Sequence, residues 1–335
     1  MIKVTSLPTI SGALLACGLF GAPAQAGPNR TWVSGKGTDS GGCPVTAPCR
    51  TFAFALTQTA AGGEIDVLDP AGYGTVTITK SVSIVNDGVG VAAIGASSGN
   101  AITINAGASD SVQLRGLTIE GLLGGGVFGI QFNTGGNLAI ENCVIRNFVG
   151  VGIGIGPSTS SSFSVSNTIV SNTAGISVQS TGSASVTGVL SKVTANNNNS
   201  GIEVVGSATT GASSTNVTIV DSEASNNSGI GVFAQSASGH PAAVVMLRNS
   251  VASNNGTGLF AGQNAILRVA HSVVTGNGTG VNASGGGTIQ SYGDNDINGN
   301  TNDNFGALTI KLRALCWVLR RLRAGRAFVE YNKSP

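Results

Sequence analysis

The chain has 335 residues, 51 of them glycine, with 41% hydrophobic, 10% charged and 5% aromatic residues. Charge this sparse, against roughly 25% in an average globular protein, combined with abundant Val, Ile and Leu, excludes a disordered chain and suits an extended β structure with many tight turns. The net charge of +2 is unevenly placed: residues 27–305 carry nine Lys/Arg and fourteen Asp/Glu (9 − 14 = −5), the last thirty carry seven basic groups and one Glu (7 − 1 = +6), and Lys3 supplies the rest. A mildly acidic body argues against nucleic acid as its partner.

The first element is an export signal, residues 1–26. MIK is a short basic start, LPTISGALLACGLFGAP is apolar, and Ala24-Gln25-Ala26 is an A-x-A site, so cleavage is expected between Ala26 and Gly27. The apolar run is too short and too rich in Pro and Gly for a membrane anchor, and no later segment could span a bilayer. A lipidation site at Cys17 is disfavoured by the fit of Leu15. Secretion, or a periplasmic or cell-surface location in a bacterium, is the expected destination. Residues 27–46 form an extension containing part of the CPVTAPC loop, in which Cys43 and Cys49 are expected to pair as a disulfide. Zinc is the rival, but no second Cys/His pair completes a site. Cys143 and Cys316 are left unpaired.

The middle of the chain repeats itself. Related Asn/Gly phrases begin at Gly116, Asn142, Asn167, Ser191, Asp221, Asn249, His271 and Asn295, spaced by 26, 25, 24, 30, 28, 22 and 24 residues. Two positions before each start stand Leu114, Ile140, Val165, Val189, Ile219, Leu247 and Val269. Four positions before stand Val112, Leu138, Phe163, Thr187, Val217, Val245 and Leu267, with polar residues such as Gln113, Ser164, Thr218 and Arg268 between them. This period of two is a strand. Val144, Ile169, Val193, Val251 and Val273 are expected to form the apolar face of a second strand. Ile130, Ile153, Ile176, Ile202, Ile230, Leu259 and Val281, followed by Phe132, Ile155, Val178, Val204 and Val232, form a third.

Each inward residue has a counterpart one repeat later, which only a coil stacked on itself can bring into register. Successive coils then pair in parallel about 4.8 Å apart, and burial comes from neighbours rather than from any coil alone. The Asn/Gly phrases are corners, because Asn and Gly tolerate left-handed backbone and stacked Asn side chains can form a ladder.

On these residues the chain resembles the right-handed parallel β-helix proteins of the pectin-lyase-like superfamily. The resemblance spans about residues 47–305 and implies an all-β solenoid of about ten coils of three short strands. PCRTFAFALTQTAAGGEIDVLDPAGYGTVTITKSVSI resembles the entry segment of such proteins, implying a capping helix. Thr51 would start it, Phe52, Ala55 and Leu56 would face the core, and Gly62-Gly63 would end it. Residues 306–335 form a basic tail, either an amphipathic cap with Leu315, Val318, Leu319 and Leu322 on one face, or a non-native extension after a last strand ALTI.

Enzymes of the superfamily act on acidic polysaccharides, using clustered carboxylates with calcium and an Arg or Lys base, or several Asp. Candidates for such chemistry are few. Glu141 is expected to pair with Arg115 and Glu120 with Arg146, as ladder salt bridges; Glu203 reads as a solvated charge. Asp221 and Glu223, about 6.6 Å apart if on one strand, approach the roughly 6.5–9.5 Å of an inverting glycosidase, with Arg248 one coil later. Against catalysis, Glu223 replaces a residue that is apolar in most coils, and Arg248 has the opposite strand parity. Asp294 and Asp296 are the one calcium candidate; no other cofactor is implied. His271 is a corner residue, and His240 is a loop histidine without a nucleophile. The expected function is therefore non-catalytic binding of glycans or other surface partners along the polar wall. The alternative is a polysaccharide lyase or glycoside hydrolase on Asp221, Glu223 and Arg248, and a trimeric attachment structure is a third class.

Overall fold

The computed structural model describes residues 27–304 and 307–311; residues 1–26, expected to be an export signal, and residues 312–335, with Cys316 and the expected tail cap, lie outside them. The strands form one 20-stranded and one 9-stranded sheet, and every ladder pairs in parallel between successive coils. The third strand of each coil builds the smaller sheet, from Val76–Ile78 to Thr279–Ala283. The first and second strands share the larger one, because in Ser161–Ser171 and Val186–Asn196 the chain runs unbroken round the corner between them. The result is a parallel β-helix with an apolar column along its axis.

The first strand follows the expected alternation in all coils but one. Val165 is in register with Leu190, and Leu190 with Ile219, so in that coil the inward residues are Gly188 and Leu190. Thr187 and Val189 point outward, and Val189 is 42% exposed. A one-residue slip in register exchanges the two faces of a strand. The second strand differs everywhere. Val144, Ile169, Thr194, Glu223, Val251 and Val273 share one outward column, in which Ile169 is 45% exposed; the buried column is Ile145, Val170, Ala195, Ala224, Ala252 and Val274. Val193 is buried, but in the position paired with Thr168. In the third strand Ile202 pairs with Val232, not Ile230, and Val204 with Ala234, because the corner from Asn226 to Val232 is one residue longer than that from Asn197 to Ile202.

Two series of left-handed residues turn the chain. Asn142, Asn167, Lys192, Asp221, Asn249 and His271 form the first corner, with φ from 45° to 56°; Asn147, Asn172, Asn197, Asn226 and Asn254 form the second. Asn is the L-residue that adopts this conformation most readily. Beside the second corner an inward ladder of amides runs along the axis. Asn198 donates its N–H to Asn227 Oδ1 (2.9 Å), Asn227 to Asn255 Oδ1 (3.0 Å), Asn255 to Asn277 Oδ1 (2.9 Å) and Asn277 to Asn300 Oδ1 (2.9 Å). Each amide NH₂ also closes on a buried carbonyl, such as Ala195, Ala224 or Ala252. These groups would be orphaned where the chain leaves the sheet; the ladder satisfies them from within.

At the N-terminal end a helix, Phe52–Gln58, covers the column with Phe52, Ala55 and Leu56 buried. Thr51 caps it, its hydroxyl accepting from Phe54 N–H. It ends before Gly62-Gly63, at Thr59, whose N–H and hydroxyl both donate to Ala55 O at 2.9 and 2.7 Å. Cys43 and Cys49 form a disulfide inside a loop tied to the strand Arg30–Val33 through Trp32 and Ser34. That strand and the last one, Leu308–Ile310, join the ladder from outside residues 47–305.

Candidate functional site

The outward residues of the first strands stack in two columns from coil to coil. One column reads Gln113, Ala139, Ser164, Val189, Thr218, Met246, Arg268 and Gln290. Its neighbour reads Asn137, Ser162, Thr187, Asn216, Val244, Ile266 and Thr288. Small side chains in the middle coils leave the wall concave, and an open groove of about 520 Å³ lies there, lined by Ser162, Thr187, Val189, Asn216, Thr218, Val244, Met246 and Arg268. Hydroxyls and an amide alternate with aliphatic carbon, and a half-buried guanidinium closes one end. Arg268 Nε reaches Gln290 Oε1 at 3.3 Å; among the described residues no carboxylate pairs with it.

The expected charge pairs are partly realised. Arg146 does pair with Glu120, at 3.4 Å. Arg115, although in register with Glu141, pairs instead with Asp87 of the preceding coil, because a long guanidinium reaches the exposed loop carboxylate more freely than the one fixed beside it.

Asp221 and Glu223 straddle the first corner. Asp221 has φ 51° and accepts from Asn249 Nδ2 at 2.5 Å, while its N–H donates to Arg248 O at 3.2 Å. Glu223 stands on the outward column between Thr194 and Val251, so the objection that it replaces a core residue falls away. Arg248 is exposed and in register with Val220. None of the ion pairs among the described residues joins these three side chains.

Asp294 is engaged by His271, whose N–H donates to Oδ1 at 3.1 Å and whose Nε2 lies 3.3 Å from Oδ2. Asp296 shares the Glu223 column, three coils on. Among the described residues no three His, Cys, Asp or Glu side chains come together as a metal site. His240 Nδ1 is held by Thr209 O at 2.7 Å. Cys143 is buried, which pushes its thiol up to about 11.

Two features escaped the sequence. On the outward column of the third strands, after Gln131, Gly154, Ser177 and Glu203, the rings of Phe233 and Phe260 stack with centroids 5.3 Å apart. Their positions become legible once the one-residue lengthening of the Asn226 corner is counted. The second is Lys80, at the end of TVTITK, where the alternation itself puts Thr75, Thr77 and Thr79 outward.

The family model of the right-handed β-helix region matches residues 128–302. The chain belongs to the right-handed β-helix family. Among solved structures, this β-helix is similar to pectate lyase Pel9A, with a TM-score of 0.56, 18% identity and 80% of this chain and 75% of that one covered. It is likewise similar to the A-module of mannuronan C-5 epimerase AlgE6 of Azotobacter vinelandii (0.56, 21%, 72% and 69%). A third is an alginate lyase of Paenibacillus sp. str. FPU-7 (0.51, 15%, 81% and 97%). No curated protein matches the chain. At these identities the likeness is one of fold. Among the described residues no helix is long and apolar enough to cross a membrane.

Proposed function

We propose that this β-helix is an exported, non-catalytic glycan-binding protein whose first-strand wall holds a polysaccharide. The observation that carries this reading is the open groove in which Ser162, Thr187, Asn216 and Thr218 present hydrogen-bonding groups beside aliphatic carbon, with the Arg268 guanidinium at its end free of any carboxylate partner among the described residues. Sugar hydroxyls match the first set, ring carbons the second, and a uronate carboxylate the guanidinium, which binds carboxylates through paired N–H donors. The fold neighbours named as pectate lyase and alginate lyase make an acidic polysaccharide the natural first choice of ligand. The disulfide supports an oxidising destination outside the cytoplasm.

Binding of the purified protein, beginning at Gly27, to an array of neutral and acidic glycans tests this. Retention of acidic glycans, weakened about tenfold or more by Arg268→Ala, is the expected result. The same glycans incubated with the protein, with and without calcium, test the enzymatic alternative. Cleavage that disappears in Asp221→Ala or Glu223→Ala would overturn the non-catalytic reading.

A further inference from the structure

The smaller sheet begins at Val76–Ile78; among the described residues no earlier strand of that sheet covers its axial edge, and the capping helix packs there instead. A helix and a strand differ in width and rise, so the substitution leaves a gap that a coil would have filled. That gap is a hollow of about 410 Å³ between Leu56 and Thr57 on the helix and Thr77, Thr79 and Lys80 on the strand side, with Asn100 one coil further on. Its volume is in the range of small-molecule sites, which run from about 300 to 1,000 Å³.

We infer that this hollow is a second binding site, taking a carboxylate-bearing sugar or sugar acid with Lys80 as its anchor. Lys80 is half-buried and fixed, its Nζ donating to Thr59 O at 2.5 Å. Closing the carbonyl at a helix C-terminus is a sufficient structural role for a lysine, but it uses one of three N–H donors. Among the described residues no carboxylate pairs with the ammonium, so a held positive charge with two unspent donors stands at the wall of a cavity. A further hollow, of about 590 Å³, is also lined by Lys80, together with Gln58 and Ala60. The rest of the lining completes the chemistry. Thr77 and Thr79 offer exposed hydroxyls, that of Thr57 being spent on Phe54 O and Gln58 Nε2, while exposed Ala53 offers carbon against which the apolar face of a sugar ring can lie. Asn100 spends one N–H on Thr103 Oγ1 (3.2 Å) and keeps its other N–H and its carbonyl for a ligand.

The site is on another wall from the Arg268 groove, at the N-terminal end of the column, and it stands whether or not that groove binds a polymer. Calorimetric titration with galacturonate, with its linear trimer and with glucose tests it on the protein beginning at Gly27. The expected result is saturable binding of one or both acids and not of glucose. That binding falls at least tenfold in Lys80→Met, weakens in Thr77→Val, persists in Lys80→Arg and is unchanged in Arg268→Ala. Thermal unfolding of each variant identifies any Lys80→Met effect due to loss of the helix cap; in that event Thr77→Val and Lys80→Arg, which leave Thr59 O covered, carry the test. Binding of neither acid, equal binding of glucose, or acid binding indifferent to both Lys80→Met and Thr77→Val overturns the proposal. Loss of acid binding in Arg268→Ala with Lys80→Met unaffected assigns the ligand to the first wall and overturns it too.

Discussion

The ring of Phe163 occupies the place where a side chain at Gly188 would stand: a methyl group there would lie 2.1 Å from the ring. The two are register partners on successive first strands, and the missing side chain of one makes room for the largest inward side chain of that ladder. Gly188→Ala is expected to cost about 1–3 kcal/mol through overpacking, and the cost should shrink in a Phe163→Leu background. Urea midpoints of the two single variants and the double variant measure the coupling; additive values would show the contact to be relaxed elsewhere.

Asn255 sits in the middle of the amide ladder and is 4% exposed. Its Oδ1 accepts from Asn227 while its Nδ2 donates to Ala224 O and Asn277 Oδ1. Asn255→Ala should cost about 1–3 kcal/mol for each buried group left unpaired. In Asn255→Asp the donor becomes an oxygen facing two acceptors, so burial raises the new carboxyl's folded-state pKa above its unfolded value. The loss is then expected to be small below the unfolded carboxylate pKa and to grow as pH rises past it. Denaturation at pH 4 and pH 7 gives the comparison.

Lys192 is the one residue of the first corner series that is neither Asn, Asp nor His, yet it has φ 55°. Left-handed backbone costs an ordinary L-residue about 1–2 kcal/mol. Lys192→Asn should raise the melting temperature, by the equivalent of up to about 1 kcal/mol, since Asn recovers part of that strain. An unchanged or lower melting temperature would count against strain at this corner.

Hydrogen bonds hold two carboxyls below their ordinary range. Asp69 accepts from the Gly35 N–H and the Ser34 hydroxyl, and Asp110 from the Ser81 hydroxyl and the Gly107 N–H. A depressed folded-state pKa contributes stability present above the unfolded value, near 3.9, and lost as pH falls through the folded one. The melting temperature should therefore drop below about pH 4, with a shallower drop in Asp69→Asn. Asp66 acts in the opposite sense, because burial raises its pKa, which favours the folded state towards acid. A profile identical in wild type and Asp69→Asn would remove Asp69 from the account.

The Cys43–Cys49 bridge closes a loop of sequence separation 6. A loop this short is worth about 2 kcal/mol in the chain-entropy account. The double substitution Cys43→Ser with Cys49→Ser should open the strand Arg30–Val33 to hydrogen exchange while leaving the central coils protected, because each coil is held by its neighbours. Equal loss of protection throughout would mean that the cap nucleates the whole solenoid.

The architecture was written in the sequence because it is carried by local rules repeated many times. A period of two marks a strand, Asn and Gly mark left-handed corners, and recurrence every 22 to 30 residues leaves coils stacked in parallel as the arrangement that buries the same columns each time. Thr51 with its apolar face at Phe52, Ala55 and Leu56 was legible for the same reason: a cap and a helical stripe are short-range signals. Tertiary structure alone decided which face of the second strand is buried, because three residues between two corners, as in Val144–Arg146 or Val251–Ser253, alternate too briefly to reveal their parity. It also decided the partner of Arg115, since register fixes where a backbone lies but not where a long guanidinium reaches. The groove over Gly188 and the hollow beside Lys80 arise where coils of unequal residue content, or a helix and a strand, are stacked; such mismatches belong to the assembled molecule and to no single repeat.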